Sequence, residues 1–101
     1  MDISFIILTW NSEKYIKSCL NSILDEMSSG PFSYEIIIVD NGSDDNTANI
    51  LKKYQKNHPK LLSNLFLQIN TGTTYSRNLA LKKAKGNFFV LLDSDVEIRR
   101  G

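Results

Sequence analysis

A chain of 101 residues has room for one domain or part of one, and folding removes only about 60–65% of its unfolded surface from water. Its hydrophobic fraction of 42% and charged fraction of 23% are those of an ordinary globular domain. Twelve Lys and Arg against eleven Asp and Glu leave no strong field, so nothing points to nucleic acid or an anionic membrane as a partner.

The lone cysteine, Cys19, permits no internal disulfide and fits a reducing compartment. Met1-Asp2-Ile3-Ser4 lacks the basic n-region and apolar core of a signal peptide. No apolar run approaches the ~20 residues of a membrane-spanning helix. The expectation is a soluble, cytoplasmic chain, with membrane association of a full-length protein left open.

In chain order, residues 3–10 read as a strand centred on Phe5-Ile6-Ile7-Leu8. Asn11-Ser12-Glu13 offers a helix cap. Behind it Tyr15, Ile16, Cys19, Leu20, Ile23, Leu24 and Met27 recur with the helical period, so Cys19 reads as a small core residue. Ser28-Ser29-Gly30-Pro31 ends that helix. Residues 34–40 form a second strand, and Asn41-Gly42 turns the chain. Asn41-Gly42-Ser43 matches a glycosylation sequon, read here as a chance match. Ser43 or Asp44 caps a second helix to about Asn57, with Ala48, Leu51 and Tyr54 inward. His58-Pro59 closes it, and His58 reads as an exposed loop residue. A short third strand is expected from Leu65 to Gln68 or Ile69. Asn70-Thr71-Gly72-Thr73-Thr74 then turns into a third helix that stops at Gly86.

Residues 87–96 complete the pattern. The apolar run Phe88-Phe89-Val90-Leu91-Leu92 reads as a strand covered on both faces, and it runs straight into Asp93-Ser94-Asp95. Two carboxylates one residue apart can converge on a hard cation such as Mg²⁺ or Mn²⁺. The plainer alternative is a polar turn after a core strand.

Three strand-helix-strand units predict an α/β architecture, a parallel sheet with helices on both faces. The strands end in Thr9-Trp10-Asn11, Asp40-Asn41, Asn70 and Asp93-Ser94-Asp95, which a parallel sheet brings to one edge. Ligands of open α/β sheets bind at that edge, where the strand order reverses. No Gly-x-Gly-x-x-Gly and no Walker-type phosphate loop is present. A metal-bridged diphosphate fits Asp93 and Asp95 best, because a divalent ion reverses the repulsion between carboxylates and phosphates. Trp10 suits stacking on a base, or else hydrophobic filling. Asp40 suits accepting a ring N–H, or else a turn or cap. Arg77 shares a helical face with Leu81 and Ala84 and is expected to point inward, toward a ligand anion or a site aspartate; a structural ion pair with Asp40 is the alternative.

These residues resemble a known family. Ile6-Ile7-Leu8-Thr9-Trp10-Asn11, the run from Ile38 to Thr47, and Asn70-Thr71-Gly72 are similar to motifs of family 2 glycosyltransferases. So are Arg77-Asn78, Ala84-Lys85-Gly86 and the DXD motif in Leu91-Leu92-Asp93-Ser94-Asp95, in the same order along the chain. The resemblance implies a GT-A fold: a Rossmann-like, mostly parallel sheet of about four strands with helices on both faces, here incomplete. It also implies a nucleotide-sugar donor, most often UDP-linked, and Mn²⁺ or Mg²⁺.

By the same resemblance, Thr9, Trp10 and Asn11 match the base-contacting loop and Asp40 the aspartate on the uracil ring. Arg77 matches the arginine near the base and Asp40, Asp93 the aspartate facing the ribose, and Asp95 the direct metal ligand. Two positions depart from the pattern: Leu8 replaces a common proline, and Asn41 stands where a second Asp is frequent. The resemblance assigns no catalytic residue to this chain, since the general base and the acceptor surface belong to the second half of such enzymes. Residues 1–101 therefore read as the nucleotide-sugar-binding part, catalytically incomplete alone. The acceptor is expected to be a saccharide or lipid-linked saccharide of unknown identity. A non-catalytic nucleotide-binding or assembly module with structural carboxylates stays open as the alternative. Strand four, with no proline or charge along its apolar stretch, is expected to leave an open edge and to make the chain a homo-oligomer.

Overall fold

The computed structural model describes residues 1–95; residues 96–101, including Val96 at the end of the fourth apolar stretch, lie outside that description. Seven elements alternate: β1 (Ile3–Thr9), α1 (Ile16–Ser28), β2 (Tyr34–Asn41), α2 (Thr47–Asn57), β3 (Leu62–Leu67), α3 (Thr73–Lys83) and β4 (Phe88–Asp93). The strands form one parallel sheet in the order β3-β2-β1-β4. Successive strands step outward from β1 through β3, and β4 returns to the opposite side of β1. The order therefore reverses between β1 and β4, which places a crevice at the carboxyl ends of those two strands.

Alternation along each strand sorts the core into two layers. Phe5, Ile7, Ile36 and Ile38 face α1 and α2, where they meet Ile16, Cys19, Leu20, Ile23, Ile50 and Leu51. Ile6, Ile37 and Val39 face the other way, against Ala80 and Leu81 of α3 and Ala84 just past its end. The parallel α/β sheet with helices on both faces is thus as expected.

Three local readings change. β3 begins at Leu62, three residues before the expected start, because Leu62 pairs with Ile36 and is buried. The polar Ser63-Asn64 pair disguised it, yet the Asn64 side-chain amide donates to the Leu51 carbonyl and to Gln55 Oε1, both at 3.0 Å. Gly86 is not a helix stop but a contact point: a Cβ there would lie 2.6 Å from the Ser4 nitrogen. Its N–H instead donates to Ser4 Oγ at 2.8 Å.

The third change concerns β4. Phe88 is 72% exposed, and Phe89 and Leu91 are about half exposed, so β4 is not covered on both faces by the described residues. It is an edge strand, and α3 packs over β1 and β2 instead of over it.

Candidate functional site

The carboxyl edge of β1 is held by β2. Thr9, the last residue of β1, lies opposite Asp40 and donates its hydroxyl to Asp40 Oδ1 at 2.7 Å. Asn11 takes a left-handed conformation, φ 48°, which asparagine tolerates better than most residues. In that pose its N–H donates to Ser43 Oγ at 2.9 Å and its Oδ1 accepts the Asp44 N–H at 2.8 Å. The loop is therefore clamped while Trp10 between these residues stays 54% exposed. Trp10 is thus not a core residue, and about half of it is open to solvent at the edge.

Asp40 is buried, with 3% exposure. Its carboxylate accepts from Thr9, from the Ser43 hydroxyl, and from the Ser43 N–H at 3.2 Å. This is the turn role weighed against base recognition, and it uses three of about four acceptor directions. The neighbouring Gly42 turns at φ 72°, and a Cβ there would meet the Gln68 carbonyl oxygen at 2.9 Å. Asn41 is buried beside Asp40, in keeping with the sequon as a chance match, and its Oδ1 accepts the hydroxyls of Ser76 and Thr71. An amide there accepts both hydrogen bonds without placing a second buried charge next to Asp40. That accounts for Asn where the pattern prefers Asp.

Asp93, the last residue of β4, and Asp95, on the turn just past it, are both exposed. Asp93 lines a cavity of about 230 Å³ with Ile6, Leu8, Leu91, Leu92 and Arg77. Arg77 differs from expectation. It is exposed, not inward, and the Asp40 oxygens are taken by Thr9 and Ser43 instead of by its guanidinium. The reason is the packed face of α3. Small Ser76 and Ala80 are its buried residues, and Ser76 bonds to Asn41, so the packed face is centred on these two, with Leu81 and Ala84 at its margin and Arg77 outside it. Arg77 thus reaches the Asp93 cavity but not Asp40.

The donor set is compatible with a hard cation. Asp93 and Asp95 supply only carboxylate oxygens, and they face solvent where a diphosphate and water could complete the shell, as Mg²⁺ and Mn²⁺ require. Among the described residues no group of three or more His, Cys, Asp or Glu forms a cage for a metal. Any ion held here would share its ligands with its substrate.

Hydroxyls were the part that sequence reasoning missed. Ser12 is buried at 4% exposure, and its Oγ lies 2.8 Å from Ser94 Oγ, tying the β1 loop to the acidic turn. The Ser12 N–H donates to Thr47 Oγ1 at 2.8 Å. The second helix is capped by neither Ser43 nor Asp44: Asp45 accepts the Thr47 N–H at 2.9 Å and the Thr47 hydroxyl. Burial pushes the Asp45 carboxyl up, but these donors and the Glu13 N–H outweigh it and hold the group below its ordinary value. Short polar side chains in loops are the expected background, so no pattern marks which of them are buried.

The sequence matches the family described as "Glycosyl transferase family 2" over residues 4–101. It is 39% identical over 101 residues to the poly(ribitol-phosphate) beta-N-acetylglucosaminyltransferase TarS of Staphylococcus aureus, covering 99% of this chain and 17% of that one. It is 36% identical over 96 residues to the poly(ribitol-phosphate) beta-glucosyltransferase of Bacillus spizizenii, covering 94% of this chain and 15% of that one. The crystal structure of S. aureus TarS 1-349 with UDP-GlcNAc superposes with a TM-score of 0.80 at 38% identity, over 94% of this chain and 27% of the other. The mannosyltransferase PcManGT of Pyrobaculum calidifontis, in complex with GDP-Man and Mn²⁺, gives 0.81 at 28% identity, over 92% and 27%. The chain spans about a sixth of the length of these curated relatives. With the match covering nearly the whole chain and GT-A glycosyltransferases sharing its fold, the chain belongs to glycosyl transferase family 2.

Proposed function

We propose that this chain is the nucleotide-sugar-binding part of a metal-dependent glycosyltransferase that takes a UDP-linked donor. One observation carries the reading: where strand order reverses, the carboxyl ends of β1 and β4 bring an exposed Trp10 on a clamped loop and the exposed Asp93 and Asp95 to one edge, with Arg77 lining a cavity beside Asp93. TarS was solved with UDP and with UDP-GlcNAc, which supports the uracil base. PcManGT carries GDP-Man and Mn²⁺, which supports a divalent ion with a nucleotide sugar in this fold.

In this reading Trp10 stacks on the base, and Thr9 and Asn11 hold its loop. Asp40 offers its remaining acceptor direction to the ring N–H, Asp93 faces the ribose, and Arg77 draws the anionic donor into the cavity beside Asp93. Asp95, with Asp93, would hold Mn²⁺ or Mg²⁺, which when bound offsets the diphosphate charge and stabilises it as a leaving group. The general base and the contacts to a saccharide or lipid-linked saccharide acceptor are assigned to a part of the relatives' length that this chain does not span. A cytoplasmic setting fits a chain whose one cysteine can form no internal disulfide.

Calorimetry with UDP tests the donor site. Binding should tighten when Mn²⁺ replaces chelator, and Trp10→Ala should weaken it by about 1–3 kcal/mol while leaving the melting temperature unchanged. Equal affinity with and without Mn²⁺ would refute the metal role. The competing reading, a non-catalytic nucleotide-binding or assembly module with structural carboxylates, is favoured by how fully Asp40 is engaged, and it expects no effect of Mn²⁺ on UDP binding.

Self-association through β4 is part of the same proposal, supported by its free edge and by exposed Phe88, Phe89 and Leu91. Light scattering over a tenfold concentration range should show a dimer that Leu91→Lys dissolves. A monomer throughout would mean that other parts of the protein cover the strand.

A further inference from the structure

We propose that Ser12 and Ser94 are positioning residues that couple base occupancy at Trp10 to cation binding at Asp93 and Asp95. This rests on the donor-site reading above. The main-chain ladder between β1 and β4 ends at the Leu8–Asp93 pair. Past it, the two loops diverge around the crevice, and among the described residues the Ser12–Ser94 contact at 2.8 Å is the side-chain hydrogen bond that bridges them.

Ser12 is built for that task. Its hydroxyl accepts the Trp10 N–H at 3.2 Å and faces the Trp10 carbonyl at 3.3 Å. With Ser94 donating, both acceptor directions and the single proton of Ser12 are used, so the hydroxyl reads both main-chain polar groups of Trp10 and the acidic turn at once. Its own main chain is fixed through Thr47, and it is 4% exposed, so it moves little. Ser94 sits between two carboxylates that repel one another and face water. Without a tether that turn samples many arrangements, of which few present both carboxylates to one ion. The Ser12 bond selects among them. A base settled on Trp10 restrains its main chain, hence Ser12, hence the turn; by linkage, a cation on the turn must favour the base to the same degree.

The test measures the factor by which saturating Mn²⁺ tightens UDP binding, by calorimetry, in the parent protein, Ser94→Ala, Ser94→Thr, Ser12→Ala and the double alanine variant. Loss of one hydrogen bond should reduce that factor about fivefold in either alanine variant, with no further loss in the double variant. UDP affinity in chelator should change little in Ser94→Ala, and Ser94→Thr, which keeps the hydroxyl, should restore the parent factor. A purely structural bond would lower the melting temperature and leave the factor unchanged; that result in Ser94→Ala overturns the coupling while the donor site stands. Ser94 is only half-buried, so its variants decide the matter even if buried Ser12→Ala does not fold. A parent factor of one overturns the metal role and the coupling together, and a parent that binds no UDP at all overturns the donor-site reading.

Discussion

Replacing Asp40 with alanine should injure the fold at least as much as it injures the site. The carboxylate is 3% exposed and accepts from Thr9 at 2.7 Å, from the Ser43 hydroxyl and from the Ser43 N–H. Thr9 is 1% exposed, so its hydroxyl has no water to turn to, and an orphaned buried donor costs about 1–3 kcal/mol. Ser43 is half-buried and recovers part of its loss from solvent, leaving roughly another 1 kcal/mol. These losses total about 2–4 kcal/mol, and relief from burying a carboxylate offsets some of this, so the net destabilisation is about 1–3 kcal/mol. Against a total stability of about 5–15 kcal/mol this is large. For a domain of this size it lowers the melting midpoint by roughly 5–20 °C. Urea unfolding of the parent, Asp40→Ala, Thr9→Val and the double variant measures it. The double variant should lose less than the sum of the singles, because removing both partners leaves no orphan. An Asp40→Ala protein within about 0.5 kcal/mol of the parent would refute the argument, as would strict additivity with Thr9→Val.

Gly86→Ala should destabilise the protein by about 1–3 kcal/mol, since the new Cβ would sit 2.6 Å from Ser4 N and Oγ and 2.8 Å from the Ile3 carbonyl carbon; a urea midpoint equal to or above that of the parent would show that the approach is looser. Asp45, held below its ordinary value in the fold, contributes stability that is present above its unfolded pKa of about 3.9 and is lost as pH falls through the lower folded value. Asp45→Asn should therefore lower the melting temperature at neutral pH and flatten its decline in acid, and parallel curves from pH 6 to 2 would contradict this.

The alternation of strands and helices, the parallel sheet and the edge at which Thr9, Trp10, Asn11, Asp40, Asp93 and Asp95 gather were legible in the chain before any packing was known. Apolar runs of strand length, helical stripes such as Ile16–Cys19–Leu20–Ile23, and glycine turns are local signals, and local sterics and hydrophobic burial suffice to read them. The order β3-β2-β1-β4 came from the structure, since pairing partners are not written in any one strand. Tertiary structure alone decided the rest. Arg77 turned outward because the face that α3 packs on the sheet is centred on small Ser76 and Ala80, with Leu81 at its margin and Arg77 beyond it. Asp40 became the centre of a hydroxyl network because Thr9 and Ser43, distant or unremarkable in sequence, converge on it across the register. Gly86 proved to be a close approach to Ser4, 82 residues away, and Ser94 found Ser12 across the same separation. Such hydrogen bonds depend on where the packed layers bring backbone and hydroxyl groups together, and a short polar side chain carries no periodicity that announces its partner.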